Sequence, residues 1–132
     1  MTYKLVIEGR LPGLNEYIDA ERSHRAAAAR MKAETQELIG WYIRAQLGAV
    51  RITRPVWLRY TWVEPNRRRD RDNICFAHKF IQDALVERGV LQGDGWKHIL
   101  GHSDAYAVDK DRPRVEVLLE EREVSEIETD SV

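Results

Sequence analysis

Between Arg67 and Asp72 the chain reads R-R-R-D-R-D, four arginines interleaved with two aspartates. Neighbouring arginines and aspartates ordinarily neutralise one another as weak surface ion pairs. Concentrated this way, they also offer a chemistry. In an extended segment Asp70 and Asp72 project to one side while Arg71 projects to the other. Two carboxylates held together repel unless a cation lies between them. Magnesium or manganese suits that position, because hard divalent ions take carboxylate oxygens. Arg67, Arg68, Arg69 and Arg71 suit neighbouring phosphates. The combination fits metal-dependent phosphodiester hydrolysis, in which bound metal activates water and stabilises the leaving oxygen.

Other residues extend this candidate site. Asp72 stands where the N-cap of a helix over Asn73–Glu87 belongs. At 100° per residue, Ile74, Ala77, Ile81, Ala84 and Leu85 form the core face of that helix. Asp72, Lys79 and Asp83 line a different side, within about 40° of one another. Lys79 could neutralise charge developing at phosphorus; with Asp83 it also reads as a surface i, i+4 pair of about 0.3 kcal/mol. Asp94, in Q-G-D-G-W, is either a simple turn residue or a carboxylate that its glycines allow close to a metal. Asn15 is a turn residue or a DNA contact. His78 falls at the border of the apolar face. His98 and His102 have zinc-like spacing, but Gly101 and a strand-like context argue against a helical zinc pair. Cys75 lacks a neighbouring base and reads as partly buried. Trp57, Tyr60 and Trp62 read as sheet packing, and Trp96 as turn or base-stacking surface. Arg22, His24, Arg25, Arg30 and Lys32 form a basic stripe, either a solvated face or a DNA track.

The elements that must position these groups follow from pattern. Tyr3–Glu8 alternates as a strand and is stopped by Gly9 and Pro12-Gly13. LNEYIDAERS reads as a polar loop, ahead of a long helix from Ser23 to Leu47 that Ser23 caps and Gly48 ends. Pro55–Val63 reads as a second strand, with further strands near His98–Val108 and Arg114–Leu119. The order β-α-β-α-β-β predicts a two-layer α+β domain, a mixed sheet packed against two main helices.

The 132 residues allow one domain with its own core. A lone cysteine suits a reducing cytoplasm, and no apolar run is long enough to span a bilayer. With no signal-peptide pattern at Met1–Ile7, the expected compartment is the cytoplasm. Formal net charge is −1, but six acidic residues and one basic residue fall from Glu120 onward. Residues 1–119 are therefore net basic, which permits a phosphate-rich partner. Residues 120–132 read as an acidic, flexible tail.

The order R-R-R-D-R-D-N, K-x-x-x-D-A-L and a later glycine and aspartate resembles Holliday junction resolvases of the RusA type. L-P-G-L-N, with Asn15 after Pro12, resembles that family's Pro-x-x-Asn element. The likeness runs from about Tyr3 to Leu119. It implies a homodimeric, magnesium-dependent endonuclease that nicks opposing strands of four-way DNA junctions in recombination and repair, with a prophage origin in keeping. It further implies Asp70, Asp72 and Asp94 as catalytic metal ligands, Lys79 as catalytic lysine and Asp83 as the aspartate of D-A-L. Two other readings stand beside it: a non-catalytic module of the same fold that grips branched DNA, and an interaction protein whose acidic tail covers its basic face.

Overall fold

The computed structural model describes residues 1–123. The elements in chain order are β1 (Thr2–Glu8), α1 (Leu14–Ser23), α2 (Arg25–Leu47), β2 (Val56–Glu64), α3 (Arg71–Cys75), α4 (His78–Glu87), β3 (Ile99–Val108) and β4 (Arg114–Glu121). The strands form one mixed sheet in the order β1-β4-β2-β3. β4 pairs antiparallel with both β1 and β2, and β3 joins the far side of β2 in parallel.

Strand alternation explains the layers. Leu5 and Ile7, Val56, Leu58, Tyr60 and Trp62, and Val115, Val117 and Leu119 are all buried. They form one core with Ile39, Ile43, Phe80, Ile81 and Leu85 from the helices. The intervening residues carry an ionic ladder across the other face, with Lys4–Glu116, Arg59–Glu120 and Arg114–Glu116 at 3.6, 2.7 and 2.7 Å. A helical layer on one side and a charged sheet face on the other give the expected α+β, two-layer arrangement.

Three expectations need correction. LNEYIDAERS is helix α1, not loop: Leu14, Tyr17 and Ile18 have i, i+3, i+4 spacing, and Tyr17 meets the rings of Phe76 and Phe80 at 5.4 and 6.3 Å. Ser23 therefore ends α1, and His24 starts α2, its ring Nδ1 accepting the Ala26 N–H at 3.1 Å. The expected helix over Asn73–Glu87 is broken into α3 and α4, with Ala77 N–H turning back to the Ile74 carbonyl at 3.4 Å, a tightening to i→i+3 geometry. At the C-terminal end, β4 continues through Glu121, so Glu120 and Glu121 belong to the sheet rather than to a tail. The rest of the acidic stretch, from residue 124, lies outside the described residues.

Two contacts hold the periphery. The Gln46 side chain of α2 accepts the Val6 N–H and donates to the Val6 carbonyl, both at 2.8 Å, filling one residue's worth of the free edge of β1. At the start of α1, the Asn73 carboxamide oxygen accepts the Asn15 N–H at 2.9 Å and Glu16 accepts the Gly13 N–H at 3.0 Å. α1 is thus capped from another part of the chain. Gly13 allows this approach, because a Cβ there would lie 2.6 Å from Asn73 Oδ1 and 2.8 Å from the Asn73 carbonyl. Gly13→Ala should lower stability by about 1–3 kcal/mol in urea unfolding. Gly95→Ala, where a Cβ would meet nothing within 4 Å, should leave the midpoint in place.

Candidate functional site

A cleft of about 480 Å³ opens where β2 and β3 end, with Glu64, Arg67, Arg69, Asp70, Arg71 and Tyr106 among its walls. The loop after β2 forms one side, and α3 starts beside it with Asp70, not the expected Asp72, in the N-cap position; Asp72 lies inside the first turn, so the two aspartates do not alternate along an extended segment as expected.

The four arginines divide into two kinds. Arg69 is structural. Its side chain is 13% exposed and grips Glu64 in a forked pair, Nε to Oε1 at 3.1 Å and Nη2 to Oε2 at 2.8 Å. Its Nη1 also donates to the Leu11 carbonyl at 3.1 Å and reaches Glu16 at 3.3 Å. Arg10 adds a second cation to Glu64 at 3.0 Å. Burial alone would raise the Glu64 pKa, but the Arg69 and Arg10 contacts outweigh it and hold the carboxyl below its ordinary value. Arg69 is therefore the brace that joins the cleft loop to L-P-G-L-N, and it is withdrawn from the expected DNA-binding set.

Arg67, Arg68 and Arg71 are exposed. The Arg71 guanidinium lies 5.3 Å from the centre of the Tyr106 ring, whose hydroxyl donates to the Arg71 carbonyl at 3.3 Å. Asp70 and Asp72 are exposed as well. The Asp72 carboxylate accepts the adjacent Asn73 N–H at 3.0 Å, and its backbone carbonyl lies 3.9 Å from the Cys75 sulfur. Among the described residues, none of these three arginines and neither aspartate joins an ion pair within 4.0 Å. Opposite charges therefore crowd one segment without neutralising one another.

The other expected site residues lie elsewhere. Lys79 pairs with Asp83 at 3.6 Å, and Asp83 also meets Lys32 at 3.8 Å and accepts from Gln36 at 3.3 Å. These contacts fix the pair at the seam between α4 and α2. The break between α3 and α4 removes the helical register that would have aligned Lys79 and Asp83 with Asp72. Asp94 is exposed in the turn before β3. That turn packs at the start of the parallel pair, where Val56 N–H meets the His98 carbonyl at 2.9 Å and Gly93 abuts the His98 ring. Asp70 follows the opposite end of β2, a strand roughly 26 Å long at about 3.3 Å per residue. Asp94 and Asp70 thus belong to loops at opposite ends of that strand. Asn15 is exposed near the start of α1, with its backbone engaged by Asn73.

Beside the cleft lies a polar cluster that local sequence signals did not assemble. Asp104 of β3 faces the helices. Its Oδ1 accepts the Trp62 indole N–H at 2.8 Å and meets His78 Nε2 at 2.6 Å. Its Oδ2 lies 3.8 Å from His102 Nε2. The His78 ring centre is 4.4 Å from that of Tyr60 and 4.3 Å from that of His102. Burial lowers the His78 pKa, against the opposing pull of Asp104. Cys75 and Tyr106 border the cluster; burial first, and the Cys75 contact second, push the Tyr106 hydroxyl well above its ordinary pKa. The available sequence clue was parity: Glu64 continues the buried Val56, Leu58, Tyr60, Trp62 series, and Asp104 pairs with Tyr60 in register.

The chain matches no model of a known protein family and no curated protein. Among the described residues, no helix is long and apolar enough to cross a membrane.

Removing the charge of Glu64 would leave Arg69 without its main partner. Glu64→Gln should cost about 3 kcal/mol, read from the urea midpoint. Because the Glu64 pKa is depressed in the folded state, its contribution is complete above the ordinary carboxylate range and declines as pH falls below it. The stability gap between wild type and Glu64→Gln should therefore narrow between about pH 5 and pH 3.

Proposed function

We propose that the protein is a magnesium-dependent endonuclease acting on branched DNA, with four-way junctions as its substrate and RusA-type resolvases as its family. The supporting observation is the unpaired charge of this segment: Arg67, Asp70 and Arg71 line the cleft, Arg68 and Asp72 are exposed next to them in the chain, and none of the five is tied up in an ion pair among the described residues. A surface ion pair contributes only about 0–1 kcal/mol, so leaving these charges apart costs little, and each remains available for a ligand of opposite sign.

Asp70 and Asp72 fit a hard divalent ion, since magnesium is commonly held by one or two carboxylates with water completing its shell. When bound, it would supply an activated water and stabilise the leaving oxygen. Arg67, Arg68 and Arg71 bind phosphates on either side of the scissile bond and hold the strand across the cleft. Arg69 takes no part in DNA contact; it fixes the loop from which the others project. Lys79 is left outside the reacting centre by its pairing with Asp83. Asp94, whose loop lies at the other end of β2 from Asp70, enters this reading through a second copy, in keeping with the two-fold dimer that paired incisions call for.

Three measurements decide the matter. Asp70→Asn and Asp72→Asn should each reduce magnesium-dependent nicking of a labelled four-way junction at least 100-fold while retaining junction binding; wild-type cutting by both variants would remove the aspartates from the chemistry. Charge-reversing Arg67 and Arg71 together should weaken binding and flatten its dependence on log[salt] by about two phosphate contacts. Mixing inactive Asp70→Asn with inactive Asp94→Asn should recover nicking if the carboxylates meet across a dimer. Recovery would not occur if both had to act within one chain.

A non-catalytic DNA-binding module uses the same arginines and is distinguished by the first assay: junction binding with no cleavage under any divalent ion.

A further inference from the structure

We propose that Cys75, His78 and Asp104 form a binding site for a zinc-class transition metal that uses neither the Asp70 nor the Asp72 carboxylate. Three elements contribute to it: the end of α3, the start of α4 and the middle of β3. One donor atom from each residue lies within 4.8 Å of the other two. The break between α3 and α4 falls between Cys75 and His78, and both side chains meet the same stretch of β3.

The donors select the metal. A thiolate, an imidazole and a carboxylate suit zinc or cobalt, whereas magnesium favours oxygen alone. The carboxylate is already oriented, because Asp104 Oδ1 accepts from the indole of Trp62, itself 2% exposed. His102, with Nε2 3.8 Å from Asp104 Oδ2 and a ring 42% exposed, is the nearest fourth donor and lies toward solvent.

Between His78 and Asp104 little movement is needed. His78 Nε2 and Asp104 Oδ1 are 2.6 Å apart, a hydrogen-bond distance. Around a tetrahedral zinc, with Zn–N and Zn–O near 2.0–2.1 Å, the same atoms would stand about 3.3 Å apart. The ring therefore withdraws by less than an ångström, and metal replaces the proton between the two groups. The imidazole proton moves to Nδ1 as the tautomer changes, and the thiol proton is released to solvent, one per metal bound.

The site does not rest on nuclease activity, and its test needs no DNA. Cys75 is the single cysteine of the chain, so a thiolate-to-cobalt charge-transfer band can arise from nowhere else. Metal-free full-length protein titrated with Co²⁺ should show that band, saturating at one ion per chain, abolished by Zn²⁺ and unaffected by excess Mg²⁺. Cys75→Ser should lose the band. Asp104→Asn, which retains an acceptor for Trp62, should keep its circular dichroism and weaken Co²⁺ binding at least tenfold; His78→Ala should do likewise. Asp70→Asn should titrate as wild type. Zn²⁺ should raise the Tm of wild type and not of Cys75→Ser. Absence of a saturable band, or wild-type Co²⁺ affinity in the Asp104→Asn and His78→Ala variants, would overturn the proposal.

Discussion

The buried pairing of Arg69 with Glu64 is the constraint around which the cleft is arranged. Desolvating both groups is costly, and the forked geometry, the Leu11 carbonyl and the second cation from Arg10 offset that cost. Loops are ordinarily the mobile part of a domain. Here the charge-rich loop after β2 is fastened through one side chain to the end of the strand and to the segment before α1. Its remaining arginines can then stay exposed while their backbone is held. The gain is preorganisation: groups that meet a polyanion lose less freedom when they do so.

A second constraint lies across the same sheet end. Tyr60 and Trp62, both buried, form an aromatic floor under His78, and Trp62 satisfies its indole N–H on Asp104. Among the described residues, every buried side-chain nitrogen and oxygen finds a partner. A polar cluster that is fully satisfied rigidifies its surroundings, whereas a partly satisfied one is costly. The cleft thus has an ionic brace on one flank and a hydrogen-bonded aromatic block on the other.

Much of the architecture could be read from residue order. β1, β2 and β4 announce themselves by period-2 burial, and α2 by its length and its termination at Gly48. What could not be read depends on partners distant in sequence. α1 is short and takes its caps from Asn73 and Glu16, so no helix-start residue precedes it. Nothing local marks the turn at Phe76–Ala77 that separates Lys79 from Asp72. The exposure of Asp70, Asp72, Arg67 and Arg71 could be expected from their contiguity in a polar loop and helix start. The displacement of Asp94 was not, because it follows from β3 running parallel to β2, and strand direction leaves no trace in composition. Arg69 looks like its neighbours until the parity of Glu64 in β2 is considered.

The Gln46 clip on Val6 bears on how the chain folds during synthesis. Among the described elements β1 is made before the others, whereas β4, its strand partner among the described residues, is made after them. An apolar strand left waiting is exposed to misassociation. α2 follows soon after β1, and one carboxamide can occupy a backbone donor and acceptor of that strand while its greasy side settles on Ile39 and Ile43. The contact places a shield on the edge of β1 that needs no part of β4 to form.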